Sequence, residues 1–68
     1  MPFVTVHMWS GRSQEMKARI IKAITEALNQ AAGIPIEATQ VVLLEVPQEN
    51  WGIAGVCASE RQASPPRP

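Results

Sequence analysis

The sequence predicts an α/β fold built on a single β-α-β unit with parallel strands and a short C-terminal hairpin or edge strand. Three observations carry this reading. FVTVHMW (3–9) and QVVLLEV (40–46) are runs of β-branched and apolar residues, and the segment between them repeats apolar residues at spacings of three and four. Two strands joined through a helix run parallel, with a right-handed crossover.

The elements follow in chain order. In FVTVHMW, Val4, Val6 and Met8 point to one face and Phe3, Thr5, His7 and Trp9 to the other. Neither face is plainly polar, so both are expected to be covered. Ser10-Gly11-Arg12 breaks the strand. Ser13 is a good helix cap, and Glu15 in the first turn suits the helix dipole. The helix is expected to run to about Ala32, with Met16, Ile20, Ala23, Ile24, Ala27, Leu28 and Ala31 as its apolar stripe and Lys17, Lys22, Glu26 and Asn29 mostly off it. Gly33 and Pro35 end it. Four consecutive apolar residues, Val41 to Leu44, fit a strand buried on both faces. Pro47 closes that strand, and the Gly-punctuated ENWGIAGV (49–56) reads as a turn followed by the small hairpin. The domain is set at residues 1–61, and the Pro-rich residues 62–68 are read as a disordered tail.

Sixty-eight residues make one small domain, and a single core of that size rarely supplies more than about 3–5 kcal/mol. Such chains add disulfides, metals or partner subunits. Cys57 is the only cysteine and His7 the only histidine, so neither a disulfide within the chain nor a structural metal is expected. One helix covers one face of a two-stranded sheet, so the other face calls for another subunit. Six basic and six acidic residues give zero net charge, which argues against a nucleic-acid binder, including a small strand–helix dimer. No apolar run is long enough to span a membrane. A lone cysteine and no export signal point to the cytoplasm.

Pro2 carries two readings. As an internal residue it is an edge proline whose nitrogen is an amide and can hold no proton. If Met1 is removed, the nitrogen is a secondary amine. An α-amino group titrates near about 8, and an apolar pocket lowers that value toward the range a general base needs. Arg12 is a solvated loop residue or, through its planar fork, a carboxylate binder. Phe3, Trp9 and Trp51 wall a pocket or simply fill core and interface. The chain contains no Asp, so Ser-His-Asp chemistry is absent.

Pro2 after the initiator Met, GRS at 11–13, the spacing to VVLLEV (41–46) and WGIAG at 51–55 together resemble the tautomerase superfamily, within it the short 4-oxalocrotonate tautomerase-like group. The resemblance covers about residues 2–61. It implies dimers with a four-stranded sheet, assembled as a trimer of dimers. It implies Pro2 as the amino-terminal base that moves a proton in an unsaturated or enol 2-oxo acid, with no metal or organic cofactor. By the same resemblance, Arg12 binds the substrate carboxylate and reaches a neighbouring subunit's Pro2. Trp51 stands where the family usually has a phenylalanine, and Gln40 where its tautomerases usually have a second arginine. Gln40 donates a hydrogen bond without charge, so a monocarboxylate or a differently shaped keto acid is as much to be expected as the namesake dicarboxylate, as is a mixed oligomer whose other subunit supplies the arginine. A non-catalytic subunit is the alternative. So is hydration of a halogenated acrylate by the same proline as an acid, though no feature here raises its pKa.

Overall fold

The structure, a computed structural model, describes residues 2–63. Strand β1 (Phe3–Trp9) leads into helix α1 (Gln14–Ala32), strand β2 (Gln40–Val46), the hairpin strands β3 (Gly52–Ile53) and β4 (Val56–Cys57), and a short helix α2 (Ala58–Ala63). Single 3₁₀ turns, Ile36–Ala38 and Gln48–Asn50, follow Pro35 and Pro47.

β1 and β2 pair in parallel, in register from Phe3 opposite Gln40 to Trp9 opposite Val46. Hydrogen bonds continue past both ends of this ladder. The Gln40 N–H donates to Pro2 O (3.2 Å), and the Ser10 N–H donates to Val46 O (3.1 Å). The β-α-β unit and its parallel strands are therefore as the sequence predicts.

α1 begins where its cap residue dictates. Ser13 is extended and its hydroxyl accepts the Met16 N–H at 3.1 Å, satisfying one of the helix's otherwise unpaired donors. It ends at Gly33, whose left-handed backbone (φ 68°) lets its N–H return to Asn29 O at 2.8 Å. The buried side of the helix is rotated from the expected stripe. Lys17, Ile20, Ile21, Ile24, Thr25, Leu28 and Asn29 are half-buried, whereas Met16, Ala23, Ala27 and Ala31 are exposed. Lys17 and Asn29 belong on that side because each has a polar partner there. Lys17 meets Glu45, and the Asn29 amide donates to Ile34 O at 2.8 Å.

The other face of the sheet is open within this chain. Phe3, Thr5 and His7 of β1 share it with Gln40, Val42 and Leu44 of β2, and all six are exposed. Phe3 is 63% exposed and Leu44 43%. Ala58 is the one fully buried apolar residue among those described. One helix thus covers one face of the sheet and the other is left open within the chain, as expected of a fold whose second face is left for another subunit.

The C-terminal hairpin forms with a two-residue turn. Ala54 and Gly55 both have positive φ (54° and 84°), the handedness that matches the twist of paired strands. α2 was not foreseen, and residues 62 and 63, read as tail, lie in it. Residues 64–68 lie outside the described residues, as does Met1.

Candidate functional site

The expected site residues fall into two groups at opposite ends of the two-stranded sheet. Pro2, Phe3 and Gln40 sit where both strands begin. Pro2 is half-buried. Its carbonyl is held by the Gln40 backbone, so the start of β1 is fixed rather than frayed. Pro2 continues the Val4–Val6 side of β1, while Gln40 shares the open face with Phe3.

Trp9, Arg12 and Trp51 gather at the far end. The Trp9 and Trp51 rings meet edge to face, with centroids 6.2 Å apart and planes at 87°. Trp51 is fixed from behind, because its carbonyl accepts the Ala58 N–H at 2.7 Å. The Trp9 indole nitrogen is enclosed and has no hydrogen-bond partner. Arg12 Nη1 donates to Trp9 O at 3.2 Å. This is one of five guanidinium donors, and the residue is exposed, so the fork has capacity for a carboxylate.

From Pro2 to Trp9 the strand advances about 3.3 Å per residue, or roughly 23 Å in all. Arg12 lies beyond Trp9 in the chain. One chain therefore does not bring Pro2 and Arg12 to a common small molecule. Phe3 is open to solvent within the chain, whereas Trp9 and Trp51 pack against each other.

Glu45 escaped the sequence reading. It sits on the helix-covered face of β2, and Lys17 Nζ donates to its Oε1 at 3.0 Å with both side chains about three-quarters buried. The Lys17 hydrogen bond and charge hold the Glu45 carboxyl below its ordinary value of 4.5, against the opposing effect of burial. The backbone N–H groups of Gly11 and Arg12 also face this carboxylate and add to the lowering. Neither completes a hydrogen bond to Oε2, which is enclosed without a partner. An acid interrupting VVLLEV was the available signal. Among the described residues no three His, Cys, Asp or Glu side chains come together as metal ligands, and no helix is long and apolar enough to cross a membrane.

Residues 2–61 match the family described as tautomerase enzyme. The chain belongs to the tautomerase family. The 2-hydroxymuconate tautomerase of Comamonas testosteroni is 48% identical over 60 residues, 88% of this chain and 95% of that relative. A 2-hydroxymuconate tautomerase of Pseudomonas putida is 45% identical over the same shares. These relatives are isomerases, and this tautomerase-family chain is an enzyme of that class. Among solved structures, TomN, a 4-oxalocrotonate tautomerase homologue in the tomaymycin biosynthetic pathway, superposes with a TM-score of 0.91 at 37% identity. It covers 96% of this chain and 100% of its own. A heterohexameric 4-oxalocrotonate tautomerase from Chloroflexus aurantiacus J-10-fl superposes with a TM-score of 0.83 at 30% identity, over 88% and 97% of the two chains.

Proposed function

We propose that the chain is a cofactor-independent tautomerase acting on an enol or unsaturated 2-oxo acid that carries one carboxylate, at sites shared between subunits. Pro2, with Met1 removed, is the base. Its nitrogen takes the enol hydroxyl proton and returns it to a carbon of the conjugated system, leaving the ketone, so no atom is gained or lost. Arg12 of another subunit binds the carboxylate and draws electron density toward it. Trp51 and Trp9 exclude water, which keeps the amine neutral near neutral pH.

The observation that carries this reading is the separation of Pro2 and Arg12 along one strand, which leaves each without its chemical partner in its own chain. The open face, which exposes Phe3, Val42 and Leu44, and the near-absence of fully buried side chains among the described residues support an oligomer, with the hexamer as the expected form. Gln40 supports the single carboxylate, because the strand-start end then offers a neutral donor in place of a second cation. Gln40 also supports a second reading, a mixed oligomer in which a different subunit brings the arginine. The heterohexameric relative makes that assembly concrete.

Subunit mixing tests the proposal. Pro2→Ala oligomers, inactive alone, and Arg12→Ala oligomers, left with a weak residual activity, are dissociated, combined and reassembled. Deuterium uptake next to the carbonyl of phenylpyruvate is then followed by NMR. Activity returns if sites combine Pro2 and Arg12 from different chains. A mixture no more active than its parents rules out the shared site.

A further inference from the structure

We propose that Lys17 and Glu45 are positioning residues for Arg12, an assignment that rests on Arg12 being the carboxylate binder. Arg12 sits in the four-residue loop Ser10–Ser13, between the end of β1 and the start of α1. Both ends of the loop are tied. On one side the Ser10 N–H donates to Val46 O at 3.1 Å, fastening the loop to the end of β2. On the other, Ser13 accepts the Met16 N–H at its hydroxyl and the Lys17 N–H at its carbonyl (3.0 Å), fastening it to the first turn of α1. The Lys17–Glu45 ion pair then joins these two anchor points directly, because Glu45 precedes Val46 and Lys17 is the residue bonded to Ser13.

The result is a closed ring of interactions. It runs from Glu45 to Val46, across to Ser10, along Gly11 and Arg12 to Ser13, and through Lys17 back to Glu45. The ion pair sets the span the loop must bridge, and so sets where the guanidinium stands. Gly11 takes a backbone of φ 123° within that span, a conformation closed to residues with a side chain. The backbone N–H groups of Gly11 and Arg12 face the Glu45 carboxylate, whose enclosed Oε2 has no completed hydrogen bond, so the carboxylate fits this setting only while Lys17 balances it. Among the described residues the guanidinium bonds only Trp9 O, which keeps most of its donors for a ligand. Neither Lys17 nor Glu45 needs to touch substrate. Their effect reaches the reaction through the placement of Arg12, and a misplacement of about 1 Å at a remote position costs up to about 100-fold in rate.

The test compares two probes with the same reacting carbon, phenylpyruvate and phenylacetone, which differ in the carboxylate. Deuterium uptake is measured for the wild type, Glu45→Gln, Lys17→Met, Arg12→Ala and the double variant Glu45→Gln/Arg12→Ala, with assembly checked by size-exclusion chromatography. The expected result is a loss of roughly 10-fold in kcat/KM on phenylpyruvate for both Glu45→Gln and Lys17→Met, carried mainly by KM. The loss on phenylacetone is much smaller, and Glu45→Gln adds nothing once Arg12 is alanine. Equal losses on the two probes, or full additivity with Arg12→Ala, overturn the proposal. If Arg12→Ala itself leaves phenylpyruvate turnover intact, the Arg12 reading fails first and the positioning role with it.

Discussion

The indole ring of Trp51 stands edge-on to that of Trp9 at 6.2 Å, joining the C-terminal hairpin region to the end of the first strand. Edge-to-face aromatic pairs contribute about 0.5–1.5 kcal/mol beyond their burial. Trp51→Phe keeps an aromatic edge and is expected to cost about 1 kcal/mol, whereas Trp51→Ala loses the wall and costs about 3 kcal/mol. Denaturant titration of the assembled protein measures both. Equal costs would show that the ring pair contributes nothing specific.

The hairpin turn holds a residue in an unfavourable place. Ala54 adopts φ 54°, and a left-handed backbone costs a residue with a Cβ about 1 kcal/mol. Ala54→Gly is expected to raise stability by up to about 1 kcal/mol, with Ala54→Asn close behind because Asn tolerates this conformation. Thermal melts at fixed protein concentration decide it. A lower midpoint for both variants would contradict the turn geometry.

The Glu45 carboxyl is held below 4.5 chiefly by its Lys17 hydrogen bond. A folded-state value below the unfolded one contributes stability that is present above the unfolded value and lost as pH falls through the folded one. The wild type should therefore lose stability below about pH 4.5 more steeply than Glu45→Gln does. Urea midpoints across that range check the slope. Parallel curves would mean that the pair contributes nothing through this titration.

Gln40 begins the second strand opposite Phe3, with its N–H bound to Pro2 O. Gln40→Arg brings a cation to the end of the sheet that holds Pro2. Charge-assisted hydrogen bonds are about twice as strong as neutral ones, so the variant should shift preference toward 2-hydroxymuconate, a dicarboxylate, by about tenfold in kcat/KM relative to phenylpyruvate. An unchanged ratio would separate Gln40 from substrate choice.

Much of this fold was legible because its boundaries are chemical. Both long strands lie between Pro or Gly punctuation and are rich in β-branched residues. Ser13 and Gly33 then mark the helix ends through the hydrogen bonds they make. The single helix showed that one face of the sheet needs another subunit, but which face stays open was not legible. Period-two alternation shows which residues share a face, but not whether this chain or another covers it, and Phe3, Val42 and Leu44 look like core in sequence. The Lys17–Glu45 pair was hidden for a related reason. A charged residue reads as solvated unless its partner is known, and these partners are 28 positions apart. Helix α2 carries no N-cap signal and follows directly on the hairpin, so local chemistry did not announce it. The candidate site was legible as residue types, and Pro2 and Arg12 stand at opposite ends of the first strand in the sequence itself, whereas the placement of Gln40 beside Pro2 came from the strand register.

The central claim is that Pro2 presents a free secondary amine. The measurement that bears on it most directly is the intact mass of the protein purified with its natural N-terminus and shown to turn over phenylpyruvate. The expected mass is lower than that of the full sequence by one methionine residue. An active protein that retains Met1 would contradict it, because the Pro2 nitrogen would then be an amide and the base would have to be another group.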